Sequence, residues 1–290
     1  MSIMLDVATR SSRSGPEHSS LSPGSARSYL LTMLGELVWP TETSVWTSTL
    51  LHLLSGLGFE EQTGRQAIAR AASSDWIIAE RSGREVSWTL SPKLKHIFET
   101  GSRRVYSLSD PFIGWTGEWL VVMITVPQSR RSARRPLYAG LSWAGLGNPA
   151  PGVWVSPHVE RVDEVNKLIT ELGLEQHTIA FVGTVKGIGI DQTEIVGRGW
   201  DLDALREHYE RVLEAISGLE PDGPDETLLA HIRMISEWQE MPRADPQLPE
   251  ALLPDWIGRR VSRRIEAIRT QWTPAVRARF AEINDGRRRS

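Results

Sequence analysis

The sequence predicts an α+β fold of several units: three helices and a two-stranded ribbon in front, a small ferredoxin-like α/β sandwich in the middle, and an α-rich end. Three observations carry this. Apolar residues recur with helical spacing from Ser25 to Ser73 and are followed by two β-prone runs around a turn. A continuous apolar run at residues 118–126 opens a β-α-β-α-β alternation. From Asp201 onward the spacing is helical again, broken by a proline-punctuated stretch at residues 242–254. The implied units are a disordered, Ser-rich tail at 1–24 and domains at 25–108, 109–198 and 199–290.

In the front unit, residues 25–38 place Leu30, Leu31, Leu34, Leu37 and Val38 on one helical face, and Pro40 closes it. Residues 45–55 repeat the pattern with Val45, Leu50, Leu53 and Leu54, and Gly56 and Gly58 stop it. Residues 60–73 predict a short helix whose apolar content is Ala67, Ile68, Ala71 and Ala72. The β-prone runs 76–80 and 85–90 flank Arg81-Ser82-Gly83-Arg84, a hairpin turn in which Gly supplies positive φ. A helix at 92–106 follows, bearing Lys93, Lys95, Arg103 and Arg104. Three helices and then a ribbon is the order of a winged helix-turn-helix.

The middle unit reads as a strand at 118–126, a helix before Gly145, a strand at 153–156, a helix at 161–172 stopped by Gly173, and a strand at 178–185. At the end, Asp201 caps a helix whose face is Leu202, Leu205, Tyr209, Val212 and Ile216. Further helices are expected at 226–240 and 257–270.

Composition narrows the classes. The 40% hydrophobic and 24% charged content is that of a soluble globular protein, and no apolar run approaches the ~18 residues of a membrane span. The opening stretch lacks a secretory signal's apolar centre, so the expected location is cytoplasmic. The absence of Cys excludes disulfides, thiolate metal sites and cysteine nucleophiles. Twelve Trp against five Phe and four Tyr are spread one per element, as core anchors rather than a stacking platform.

In a helix-turn-helix the second helix of the pair presents its first turns to base edges. Here those turns carry Gln62, Thr63, Arg65, Gln66 and Arg70, with Arg81 and Arg84 on the ribbon. Gln pairs with adenine, Arg with guanine, and Thr with a base or a phosphate. Residues 25–106 hold nine Lys or Arg and eight Asp or Glu, so a single copy gains little from phosphate neutralisation and a dimer is needed.

The stretches Ala26–Glu36, Val45-Trp46-Thr47, Arg65–Arg70 and Trp76 resemble the PaaX family, repressors of phenylacetic acid catabolism and related pathways. Gly145-Leu146-Gly147 with Val153–His158 is similar to that family's middle pattern. Glu237-Trp238, Asp245-Pro246, Leu248-Pro249, Leu252-Leu253-Pro254, Asp255-Trp256 and Gly258 are similar to its C-terminal pattern. The resemblance implies a homodimer on a palindromic double-stranded DNA operator, released when an aryl-CoA thioester such as phenylacetyl-CoA binds. It also implies a middle domain resembling small CRISPR-associated nucleases, though fold does not carry their activity across. Four positions depart from it. Gly64 and Ala71 replace larger apolar residues, and Asp75 replaces Gly before the Trp. Pro136 falls inside the first middle-domain helix, which is therefore expected to start or kink there. Gly64, at about 1 kcal/mol relative to Ala, predicts a looser or later-starting helix.

Enzymatic signals are weak, and the reading is that the chain is not an enzyme. His52, His96, His158, His177, His208 and His231 are dispersed and lack metal-ligand spacing. Gly187-Ile188-Gly189 and the glycines at 145–152 lack the full phosphate-loop spacings. Ser156 and His158 lack an elbow motif, which argues against a hydrolase. No cofactor or metal is expected. Two basic clusters are candidates for the phosphates of an effector or of DNA: Arg130, Arg131, Arg134 and Arg135, and Arg259, Arg260, Arg263 and Arg264. The rival reading is a CoA-thioester-binding enzyme or binding module whose winged helix does not read DNA.

Overall fold

The computed structural model describes residues 24–82, 85–106, 115–186, 188–239 and 241–288. The expected tail over residues 1–23, the ribbon's Gly83 and Arg84, and the boundary at 108–109 lie outside the described residues.

Helix α1 (Ala26–Met33) starts where the Ser25 side chain accepts from the Ser28 amide. It runs on as a π-helical turn (Leu34–Val38) and a 3-10 turn (Trp39–Thr41) containing Pro40. Residues 45–46, expected to open a helix, instead form strand β1 (Val45–Trp46), which pairs with the ribbon. A two-residue strand leaves no periodicity, so only its partner identifies it. Then come α2 (Thr47–Gly56), α3 (Glu61–Ser73), β2 (Ile77–Ser82), β3 (Glu85–Leu90) and α4 (Pro92–Tyr106). The sheet order is β1-β3-β2, all antiparallel.

The middle segment is β4 (Glu118–Ile124), a 3-10 turn (Gln128–Ala133), α5 (Arg134–Trp143), β5 (Gly147–Ala150), β6 (Val153–Ser156), α6 (Val162–Glu171) and β7 (Thr178–Thr184). The order β5-β6-β4-β7, antiparallel throughout, is the ferredoxin-like β-α-β-β-α-β arrangement. Strand β5, Gly-Asn-Pro-Ala, went unforeseen because it has no β-prone residues; it is held by pairing with β6 across the Pro151-Gly152 turn. Pro136 falls in the first turn of α5, where its missing N–H breaks no bond, so α5 begins two residues earlier and does not kink.

The end segment is α7 (Gln192–Gly199), α8 (Leu202–Ser217), α9 (Gly223–Trp238), α10 (Met241–Ala244) and α11 (Ile257–Arg288). Asp201 caps α8 as expected, accepting from the Ala204 amide. Helix α11 outruns the expected 257–270 and carries Pro274 inside it. It continues because Val276, Phe280 and Ile283 bury themselves in the core that α1, α2 and α3 build. That burial outweighs the proline's cost. Leu228 and Ile232 of α9 join the same core.

Buried polar groups tie the end of the chain to its front. Glu36 accepts from Arg269 Nε at 3.0 Å and faces His231 Nε2 at 3.3 Å. Burial pushes its carboxyl up, but the His231 hydrogen bond and the Arg269 charge outweigh that and hold it at about 2. Asn284 of α11 brackets β1, donating to the Ser44 carbonyl and accepting from the Trp46 amide. A second hub is internal to the end segment: Asp245, 2% exposed, accepts from Tyr209 Oη at 2.8 Å, Trp256 Nε1 at 2.7 Å and the Gln247 amide at 2.6 Å.

Among the described residues no helix is long and apolar enough to cross a membrane, and no His, Cys, Asp or Glu cluster could hold a metal ion.

Candidate nucleic-acid interface and ligand groove

Helix α3 is amphipathic by construction. Gly64, Ala67, Ile68 and Ala71 follow the i, i+3, i+4, i+7 rule and are buried. Small residues there let the backbone of α3 lie close to α2. A Cβ on Gly64 would stand 2.9 Å from Leu51 Cδ2 and 3.3 Å from Leu54 Cδ1. Gly64 therefore does not delay the helix, which begins at Glu61; it is a contact point between two helices.

The departure at Asp75 has the reverse explanation. Its φ is +55°, the left-handed conformation that glycine adopts freely and Asp tolerates. The chain turns there from α3 into β2, and the Asp75 carbonyl accepts from Ser91 Oγ at 2.6 Å.

The opposite face of α3 is exposed and carries Gln62, Thr63, Arg65, Gln66 and Arg70 together. Arg70 has no ion-pair partner among the described residues, whereas Arg65 reaches Glu61 Oε1 through Nε at 2.9 Å and Nη2 at 2.6 Å. Sequence reasoning overlooked Glu61, although its i, i+4 spacing from Arg65 was visible. Arg81 is exposed on β2. Lys93 and Arg27 serve the frame instead: Lys93 Nζ donates to the Ser74 carbonyl at 3.1 Å, and the Arg27 guanidinium lies 4.3 Å above the Trp76 ring.

The arginine clusters separate into different jobs. Arg130 donates to the Leu172 carbonyl, and Arg259 donates to the carbonyls of Leu248 and Leu253, so both brace loops. Arg260 and Arg263 are exposed on α11, with Arg263 Nε on the Arg259 carbonyl at 3.3 Å. Arg131, Arg134 and Arg135 instead line one recess of about 590 Å³ with Tyr138, Ala139, Ser142 and Trp154. An adjoining recess of about 450 Å³ shares Arg131, Arg134 and Tyr138 and continues along Thr125, Gln128, Pro151 and Gly152. Tyr138 and Trp154 were missed as lining residues; the turn separating Arg134 from Tyr138 was the available signal.

Ser156 and His158 are structural. The imidazole Nε2 sits 3.1 Å from the Pro246 carbonyl and 3.0 Å from that of Gln247, clamping the middle segment to the loop before α11. Ser156 Oγ accepts from the His158 amide at 3.2 Å.

Three family models match consecutive parts of the chain. They are PaaX-like protein over residues 25–94, the PaaX protein central Cas2-like domain over 114–195, and the PaaX-like protein C-terminal domain over 200–282. The transcriptional repressor PaaX of Escherichia coli K12 is 25% identical over 272 residues, covering 90% of this chain and 84% of that protein. A solved structure of an uncharacterized Mycobacterium tuberculosis protein has a similar fold, with TM-score 0.61 at 19% identity over 88% of this chain and 98% of that one.

Proposed function

The chain belongs to the PaaX family, and on that premise we propose that it is a ligand-responsive transcriptional repressor of a phenylacetate-type catabolic pathway. In this reading residues 25–106 form a winged helix-turn-helix, α3 is the recognition helix and the β2–β3 ribbon is the wing. A homodimer reads a palindromic operator, and an aryl-CoA thioester such as phenylacetyl-CoA releases it.

The observation that carries the reading is the split of α3 into a buried small-residue stripe and an exposed row of Gln62, Thr63, Arg65, Gln66 and Arg70. A rod held from behind with base-reading side chains in front suits a major groove. The sheet supports self-association. Strand β7 is an edge strand without a charged residue, and on the face away from α5 and α6 it exposes Ile179 (64%) and Phe181 (48%) beside Met123.

The test is a fluorescence-anisotropy titration of the full chain on the duplex upstream of its own gene. Binding is expected to be sequence-selective and to weaken steeply with salt. Arg65→Ala or Gln66→Ala relaxes base preference, whereas Arg81→Ala on the ribbon weakens all duplexes alike. Phenylacetyl-CoA releases the duplex. Equal affinity for a scrambled duplex sinks the reading. Phe181→Lys is expected to halve the mass by sedimentation and cost operator affinity.

One observation favours the rival, a CoA-thioester-binding module that does not read DNA. Glu60 and Glu61 set two exposed carboxylates at the head of α3, and one of them occupies Arg65. The same titration separates the two readings.

A further inference from the structure

Residues 119–159 hold four Arg and no Asp or Glu. Three of those arginines, Arg131, Arg134 and Arg135, converge on the double recess beside α5, and none has an ion-pair partner among the described residues. Uncompensated like charges on adjacent turns repel one another, and an anion between them relieves that cost. A single carboxylate would neutralise only one of three guanidiniums. Phosphate groups, with two charges and several acceptor oxygens in bidentate reach of a guanidinium fork, match the set better. The first turn of α5 adds the positive end of its dipole on the same side.

The recess also has an aromatic wall. Arg134 lies 5.6 Å from the Tyr138 ring centroid, and Tyr138 meets Trp154 edge-on at 5.0 Å. Trp154 is buried in the middle core and backs Tyr138 from behind, so Tyr138 is the more exposed ring of that wall. The lobes of about 590 and 450 Å³ meet at Arg131, Arg134 and Tyr138, the larger a shallow depression open to solvent and the smaller more enclosed. Charge in the middle and a lobe on either side suit an extended molecule with phosphates between two end groups.

We infer that the groove formed by Arg131, Arg134, Arg135, Tyr138 and Trp154 binds a small, extended ligand bearing at least two phosphate charges and a flat ring. The inference deepens the effector part of the reading above. It rests on that reading only for what binding does to DNA. It assigns the phosphates to this groove and leaves Arg260 and Arg263 of α11 without a share in them.

Isothermal titration calorimetry on the full chain tests it, with phenylacetyl-CoA, adenosine 3′,5′-bisphosphate, inorganic pyrophosphate, free phenylacetate and an unrelated duplex as separate titrants. Phenylacetyl-CoA is expected to bind, the bisphosphate and pyrophosphate to compete with it, and phenylacetate to leave no heat. Arg131→Ala with Arg134→Ala is expected to weaken phenylacetyl-CoA binding at least 30-fold, and Arg260→Ala with Arg263→Ala less than threefold. All four side chains are exposed, and an unchanged melting temperature shows that the variants fold; Arg131→Lys with Arg134→Lys, keeping charge without the fork, falls between. The inference is overturned if the groove double variant binds like wild type, if the α11 variant carries the loss, or if no phosphorylated titrant binds. It is also overturned if only the unrelated duplex responds to the groove substitutions. Operator binding is measured on the same samples, so its absence with groove binding intact sinks the repressor reading alone.

Discussion

The front sheet (β1-β3-β2) and the middle sheet (β5-β6-β4-β7) are covered by different parts of the chain. The middle sheet packs Leu120, Val122 and Trp154 against Leu137 and Leu141 of α5 and Val165 and Ile169 of α6, all within residues 118–174. The front unit buries Leu30, Leu34, Leu50 and Ile68 together with Ile232, Val276, Phe280 and Ile283, so its core closes only when chain from over 130 residues away arrives. The helix-covered face of the middle sheet closes from within its own segment, and only the opposite face, with Trp119 and Val155, takes Ile195, Val196 and Leu248 from the end segment. The core of the segment proposed to read DNA has no such self-sufficient side. A change at Leu228 or Ile232 of α9, or at Val276, Phe280 or Ile283 of α11, therefore bears on the core that carries α3, and that gives the end segment a mechanical say in the front one.

The comparison breaks if the front unit proves indifferent to α11. Phe280→Ala is expected to cost about 3–5 kcal/mol. By hydrogen exchange the loss of protection should spread through α1 and α2 while β4 and β6 keep theirs. Leu137→Ala, buried in the middle core, should give the opposite map. Matching maps would mean one cooperative body.

Removing Glu36 tests the polar half of the same joint. Glu36→Ala removes the buried carboxylate shared by Arg269 and His231 at a cost of about 1–3 kcal/mol, since the partly exposed Arg269 keeps Glu266 at 3.7 Å. The acid limb carries the sign. Held at about 2 against 4.5 in the unfolded chain, Glu36 contributes stability that is full above 4.5 and lost as pH falls toward 2. Acid unfolding followed by circular dichroism should show that limb flattened in the variant.

An effect of similar size sharpens the contrast from the far side. Gly258→Ala, inside α11, should cost about 1–3 kcal/mol despite alanine's better helix propensity. Its Cβ would meet Trp256 Nε1 at 2.6 Å, Tyr209 Cζ at 2.8 Å and Asp245 Oδ2 at 2.9 Å, all rigid members of one hub. Thermal melting reads it directly. The smallest expected change is Glu61→Gln, which frees Arg65 and removes a charge at the head of α3. Undoing an exposed pair of about 0.2–1 kcal/mol should tighten duplex binding about twofold.

The motifs that made the chain recognisable turned out to be architecture. His158 clamps the loop that carries Asp245, Asp245 gathers Tyr209 and Trp256, and Gly258 makes room for all three. They are legible because rigid hubs need particular residues at particular places. The arginine groove was half legible: the charges stood out in the sequence, but which of them bind carbonyls depends on loops folding back from elsewhere. Arg130 and Arg259 look like their neighbours until Leu172, Leu248 and Leu253 come within reach.

From the sequence alone came the helices with strong apolar periods, the ribbon, the β-α-β-α-β order and the exposed row on α3, since local spacing encodes which face of an element is apolar. Tertiary structure decided the rest: the pairing of β1 and β5, the passage of α11 through Pro274, the pocket walls and the partner that closes the front core. Each of those depends on contacts between distant residues, whose burial outweighs the local preferences that spacing expresses.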